Sequence, residues 1–355
     1  MSRHDHACTH IDPSPARAVK ARRTLAGLLT LVAALSAVVG CSSDSGSDTI
    51  RFALDWTPNT NHTGLYVAQQ EGLFADAGLD VEILPYNNAT PDTLVDAGSA
   101  EFGISTHATS TIARAAGSRT VAVLAPLQHW ATGIAVRADN AEITRPADLD
   151  GKTFAGFANP GEDEMLAEVI RNDGGRGEFE NVTLGTSSYE AVYSSTADFT
   201  VSYLAWEGLE AEHRGLPMRY FGFTDYGFPD AYAIVVDGNE DWMTENPEQA
   251  RAFVQALHQG YRIAADDPDR GARALLEANP GAFPDEELVY ESQRMLAAEY
   301  MRDASGAVGV LDAGKWSGYA RFLYENGVLS GPDGSPLTTE PDWSTYVTDD
   351  YLEDR

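Results

Sequence analysis

The 355 residues are 43% hydrophobic and 10% aromatic, enough apolar material for a substantial core and about two domains, which excludes a disordered chain. Asp and Glu number 54 against 24 Lys and Arg, a net charge of −30 whose field repels nucleic acid and anionic lipid. The only cysteines are Cys8 and Cys41, too few for a thiolate metal cluster.

The first forty residues read as an export signal. Arg17, Lys20, Arg22 and Arg23 precede the apolar run TLAGLLTLVAALSAVVG, which ends at Cys41 and is short for a membrane span of about 20 residues. Val38-Val39-Gly40-Cys41 resembles the bacterial lipobox, in which cleavage before the cysteine is followed by acylation of its thiol. The expectation is a lipoprotein signal peptide at 1–40, lipidation at Cys41, and a flexible polar tether at 41–49. An uncleaved anchor and an ordinary secreted protein are the competing readings; all three put the folded part outside the cytoplasm. Cleavage removes Arg3, Arg17, Lys20, Arg22 and Arg23 with Asp5 and Asp12, which takes 24 basic and 54 acidic residues to 19 and 52, a charge of about −33. Cys8 leaves as well, so no disulfide and no thiol nucleophile is expected.

Past the tether, strand-like and helix-like stretches alternate: IRFAL (50–54) then HTGLYVAQQEGLFADAG, VEIL (81–84) then PDTLVDAG, EFGIS (101–105) then HATSTIARAAG, and TVAVLAP (120–126). Such alternation predicts crossover units and a largely parallel sheet covered on both faces. Gly72, Gly78, Gly98 and Gly117 stand where helices should end. A second series begins near 132 with TGIAVRAD and runs through KTFAGF, EDEMLAEVIRNDG, NVTLG, SYEAVYSS, DFTVSYL, WEGLEAEHRG and MRYFGF. After AYAIVV (231–236) the pattern turns to long helices such as PEQARAFVQALHQGYRIAADD. Two α/β units with a helical C-terminal third follow from periodicity alone.

The order of strand, DW-P-N-xx-H-xG-YVA, amphipathic helix, then G-L-D-V resembles the solute-binding proteins of ABC importers that carry thiamine pyrimidine precursors, and the related eukaryotic pyrimidine synthases. FGIST (102–106), LDGKTFAGF (149–157), NPGEDEML (159–166), AWEGLEAE (205–212) and DYGFPDAYAIVV (225–236) extend it over roughly 50–330. The resemblance implies a type II periplasmic-binding-protein fold: lobe 1 from 50–131 plus 232–355, lobe 2 from 132–231, and a ligand cleft between them. It also implies a monomer without cofactor or metal that captures an aminopyrimidine, delivers it to a membrane permease, and is not an enzyme. A flavin or a sulfonate is the alternative cargo. Suicide synthesis, which in the eukaryotic relatives consumes a histidine with pyridoxal phosphate and an iron-associated cysteine cluster, finds no matching cysteines here.

Ligands of open α/β sheets sit beyond the carboxyl ends of strands. Trp56 after the first strand can stack on a flat ring while Asp55, Asn59, Asn61 and His62 offer donors and acceptors at its rim; a core indole and turn or N-cap roles compete. Trp206 and Glu207 hold the matching place in the second unit, where a carboxylate can accept from an exocyclic amine; an acid favoured by a helix dipole is the alternative. Gly161 and Glu162 open a helix whose first-turn acids, with Asp163 and Glu164, oppose a phosphate. Tyr226, Phe228, Asp230 and Tyr232 fall at the second crossing, and Tyr86, Asn88, Ser105, Thr106, His107, Trp130 and Tyr203 at strand ends, with core packing or capping as the competing role. No P-loop, GxGxxG, HExxH or CxxC pattern is present.

Overall fold

The computed structural model describes residues 49–352 except Asn88 and Pro160. The expected signal peptide, Cys41 and nearly all of the tether lie outside those residues. Among the described residues no helix is long and apolar enough to cross a membrane.

Two five-stranded sheets organise the chain. The first holds β1 (Ile50–Ala53), β2 (Val81–Leu84), β3 (Phe102–Ser105), β4 (Thr120–Leu127) and, much later, β10 (Ile234–Asn239), in the order β2-β1-β3-β10-β4. The second holds β5 (Thr132–Arg137), β6 (Thr153–Gly156), β7 (Glu180–Thr183), β8 (Phe199–Tyr203) and β9 (Met218–Gly222), in the order β7-β6-β8-β5-β9. Helices end as read from the glycines: Gly72, Gly78, Gly98 and Gly117 all have left-handed φ.

The expectation of largely parallel sheets needs correction. β10 runs antiparallel to both β3 and β4, and β5 antiparallel to both β8 and β9. Each is the strand by which the chain arrives from the other lobe, so it enters its sheet from the cleft side while its neighbours leave toward the cleft. The register records this: Thr132 at the start of β5 faces Tyr203 at the end of β8, and Val235 near the start of β10 faces Ser105 at the end of β3. The carboxyl ends of β1, β3 and β8 therefore meet the amino ends of β5 and β10 at one place. The last strand also starts later than AYAIVV suggests, because pairing begins only at Ile234 opposite Leu127.

Phe52 and Phe102 of the first sheet pack on Phe253 of the helix Pro247–Asp266, with the Phe102 and Phe253 ring centroids 4.3 Å apart. That helix comes unusually close to the helix Thr63–Gln70. A Cβ at Gly64 would lie 2.2 Å from Tyr261 Cγ, and one at Gly260 would lie 2.1 Å from the Gly64 carbonyl oxygen. Two glycines thus set the spacing beneath the loop that opens the cleft. The helix Ala313–Glu325 packs on His107–Ala115, and its Trp316 and Tyr319 join a cluster that also contains Ile134, Phe154 and Phe199.

Candidate ligand-binding site

A cavity of about 510 Å³ opens where the strand ends of the two sheets converge, within the range of about 300–1,000 Å³ usual for small-molecule sites. Asp55, Trp56, Asn59, Asn61, Tyr86 and Thr106 line it from the first lobe, and Glu162, Tyr203, Trp206 and Glu207 from the second. Ser105 at the end of β3 and His107 just beyond it, with Trp130 and Tyr232 beside the two crossings, complete the set expected from sequence that reaches the wall.

The loop after β1 is built by its own side chains. Asn59 caps a short 3-10 turn, Thr60–His62, its Oδ1 accepting the Asn61 N–H at 2.9 Å. The Asn59 N–H donates to His62 Nδ1 at 3.4 Å, and His62 Nε2 is 2.7 Å from Asp55 Oδ1. With Nδ1 accepting, the neutral ring carries its proton on Nε2 and donates it to Asp55. The Tyr261 hydroxyl donates to the Asn61 carbonyl at 2.9 Å, so the close helix contact at Gly64 also fixes this loop.

Glu207 lies in a π-helical turn, Leu204–Gly208, rather than the regular α-helix that AWEGLEAE suggests; such turns are frequent at functional sites. The turn brings the carboxyl back over its own backbone, where Oε2 accepts the Tyr203 N–H at 3.1 Å, and it is hydrogen-bonded to Tyr189. Burial pushes Glu207 up to about 7, against the hydrogen bonds that favour its charged form. Glu162 is also pushed up to about 7, first by burial; Oε2 accepts the Phe157 N–H at 3.1 Å and Oε1 the Asn159 amide at 3.3 Å. Ala158, in the loop that Glu162 closes, has φ 63°, a left-handed conformation that a non-glycine residue enters at a cost of about 1–3 kcal/mol.

The aromatic wall is composite. Trp56 lies 5.3 Å from Tyr86 and 6.2 Å edge-on from Phe157 of the second lobe. At the other end Trp130 packs on Phe223 and Tyr319, its indole N–H donating to the Pro229 carbonyl at 3.0 Å. Thr106 combines its place on the wall with capping of His107–Ala115.

Five residues named as candidates from sequence lie elsewhere, the first of them Phe228, which is buried in the core. His62 is fully buried behind Asp55 and orients it, because both ring nitrogens are already engaged. Gly161 is the left-handed N-cap of Glu162–Asn172, where a Cβ would come within 2.7 Å of Val328. Tyr226 packs against the cluster that Trp316 and Tyr319 join, its carbonyl accepting from Asn172. Asp230 ties the two crossings together. Its Oδ2 lies 2.7 Å from both Lys315 Nζ and His129 Nδ1, and Oδ1 accepts the Trp130 N–H at 3.4 Å. Burial works against its charge, yet Lys315 and His129 hold the carboxyl below its usual range.

Other wall residues escaped the sequence reading. Phe157 and Tyr189 come from the second lobe, and Asp92 from the helix Pro91–Asp96. Ser105 Oγ is 2.9 and 3.0 Å from the two Asp92 oxygens, while Ser110 donates to Asp237 at 2.9 Å. Burial, then the Asp92 charge, raises Asp237 far above the carboxylate range. His107 is driven down to about 3, first by burial, and stays neutral. Asn88 lies outside the described residues. No Lys or Arg lines the cavity among the described residues, whereas Asp55, Asp92, Glu162 and Glu207 all do.

Two α/β lobes joined by two crossings and meeting at such a cavity define the type II periplasmic-binding-protein fold. Solved structures agree: an alkanesulfonate-binding protein from Xanthomonas axonopodis superposes with TM-score 0.61 at 16% identity over 79% of this chain and 94% of its own. A Candida albicans gene product described as having the generic periplasmic binding protein fold gives 0.57 at 14% identity, over 85% and 96%. The chain belongs to the NMT1/THI5-like family, whose model matches residues 59–271. A formylaminopyrimidine-binding protein of Halalkalibacterium halodurans is 30% identical over 319 residues, 86% of this chain and 95% of the relative. A 4-amino-5-hydroxymethyl-2-methylpyrimidine phosphate synthase of Saccharomyces cerevisiae is 22% identical over 247 residues, 66% and 72% respectively.

Proposed function

We propose that the cavity captures a thiamine pyrimidine precursor, a neutral or cationic aminopyrimidine, and that the protein is an extracytoplasmic solute-binding lipoprotein, anchored through Cys41, serving an ABC importer. The observation that carries this reading is the wall chemistry: among the described residues, aromatic rings and four carboxyl groups, with no Lys or Arg. Trp56 and Tyr86 present ring faces to a flat heterocycle, a contact worth about 0.5–1.5 kcal/mol per pair beyond area burial. Glu207 accepts from the exocyclic amine and meets the adjacent ring nitrogen, while Asp55, Asn59 and Asn61 reach the remaining rim. An anionic solute would meet four carboxyl groups with no compensating cation, because His107 is neutral and no Lys or Arg is at the wall among the described residues. The formylaminopyrimidine-binding relative, aligned over 86% of the chain, supports the same cargo.

Closure of the lobes on the ligand would supply the shape a permease recognises, since ligand contacts from both lobes favour the closed arrangement over an open one. Binding without chemistry is the better reading of His62, which is sealed behind Asp55 rather than presented to the cavity. The test is mass spectrometry of small molecules released by denaturing protein purified from its native host. An aminopyrimidine at near-stoichiometric yield supports the proposal, and a sulfonate or a flavin in its place overturns it.

A further inference from the structure

We propose that His213 is a positioning residue for lobe closure: as an imidazolium it bridges Asp285 and Glu291 and holds the cavity-bearing turn of the second lobe against the helical layer of the first. Its Nδ1 lies 2.7 Å from Asp285 Oδ2 and its Nε2 lies 2.8 Å from Glu291 Oε2. A neutral ring donates from one nitrogen only and would set the lone pair of the other against a carboxylate, so both contacts require two N–H groups.

The bridge spans the two lobes. His213 ends the helix Leu209–His213, which continues directly from the turn carrying Trp206 and Glu207. Asp285 caps Glu286–Glu299, accepting the Leu288 N–H at 3.3 Å. That helix packs on Pro247–Asp266 and Pro268–Ala278 in the first lobe, and its Ser292 Oγ is 2.6 Å from Thr60 Oγ in the loop that carries Asn59 and Asn61. The bridge therefore couples the segment presenting Glu207 to the segment presenting the opposite rim. Trp206 edge-on to Phe283, 6.0 Å apart, is a neighbouring contact across the same seam.

The other charged groups on these elements are paired elsewhere or exposed. On its own helix Glu210 and the following Arg214 pair together, with Glu190 joining Arg214; Glu212 is exposed. On the facing helix Glu287 pairs with Arg294, which also binds Asp269, and Glu286 is exposed. Hydrogen bonds to Asp285 and then Glu291 hold His213 above its usual range. With the bridged value above the ordinary histidine value of about 6.5, the bridge is complete below that pH and is lost as pH rises through the bridged value.

The experiment compares the wild type with His213→Gln and His213→Lys as full-length protein, by ligand-free small-angle scattering at pH 6 and pH 8.5 and by titration with 4-amino-5-hydroxymethyl-2-methylpyrimidine. The wild type should expand between the two pH values, the Lys variant stay compact at both, and the Gln variant be expanded at both. At pH 6 the Gln variant should bind about fivefold more weakly than the wild type, the scale expected of two partly exposed ion pairs, and the two should converge at pH 8.5. Comparison at a common pH cancels the titration of Glu162, Glu207 and the ligand itself. Scattering of the wild type that does not move with pH, or a Gln variant that tracks the wild type at every pH, overturns the inference. Only the affinity arm rests on the proposed cargo: a wild type that ignores the pyrimidine refutes the cargo, while the scattering arm still decides the bridge.

Discussion

Replacing Glu207 by Gln removes one ionisable group from the cavity while keeping its shape, and the consequence for stability follows from its environment. In the folded protein its carboxyl titrates near 7 against an ordinary 4.5, first because burial disfavours the charge. Below 4.5 both folded and unfolded chains hold the proton and nothing is lost. Between 4.5 and 7 the folded state binds more proton than the unfolded one, so stability falls as pH rises, and above 7 the loss is complete. A gap of that size corresponds to about 3 kcal/mol. Urea unfolding at pH 5 and pH 8 should therefore show the wild type losing about 2–3 kcal/mol more than Glu207→Gln, most of the full gap. Glu162 titrates near the same pH but is present in both proteins, so the difference isolates Glu207. Parallel pH dependences in the two proteins would refute the buried-acid argument. The same variant should bind an aminopyrimidine about 3- to 10-fold more weakly at pH 7, because the amide carbonyl still accepts from the exocyclic amine but without the charge assistance.

Other perturbations probe separate parts of the site. Trp56→Ala should weaken pyrimidine binding about ten- to a hundredfold by calorimetry, while Trp56→Phe, which keeps a stacking face, should lose much less. His62→Ala frees Asp55 and leaves the Asn59 N–H unpaired, so it should cost about 1–3 kcal/mol of stability and lower affinity; His62→Gln, which can still donate to Asp55, should recover part of both. Gly64→Ala puts a methyl against the Tyr261 ring and should destabilise by about 1–3 kcal/mol or more in thermal unfolding, with a matching fall in affinity because Tyr261 holds Asn61.

Much of this architecture is written in local pattern. A strand, a cluster of short polar residues and an amphipathic helix at 50–70 suffice to place Trp56 and Asn59 at a strand end, and the same logic puts Glu207 after β8. What escaped depends on distance along the chain or on direction. Asp92 raises the titration of Asp237 although their numbers differ by 145, and neither segment marks its acid as special. Phe157 reads as the continuation of an apolar strand, and only the geometry of the cleft brings its edge to Trp56. Asp230 was legible as a crossing residue, but its partners His129 and Lys315 come from other segments, so its role as a tie across the crossings was not. His62 illustrates the limit of residue type: a histidine beside a cleft can touch a ligand or brace a neighbour, and the choice is made by which of its nitrogens are already occupied. The antiparallel course of β5 and β10 follows from the chain's passage between lobes, which periodicity does not encode.

Calorimetric titration of the wild type at pH 7 with 4-amino-5-hydroxymethyl-2-methylpyrimidine and, separately, with its phosphate ester puts the wall chemistry to the question. The acidic cavity, free of lysine and arginine among the described residues, predicts saturable one-site binding of the free pyrimidine and binding of the ester at least a hundredfold weaker. No heat with the pyrimidine, or an ester that binds as tightly, would contradict the account.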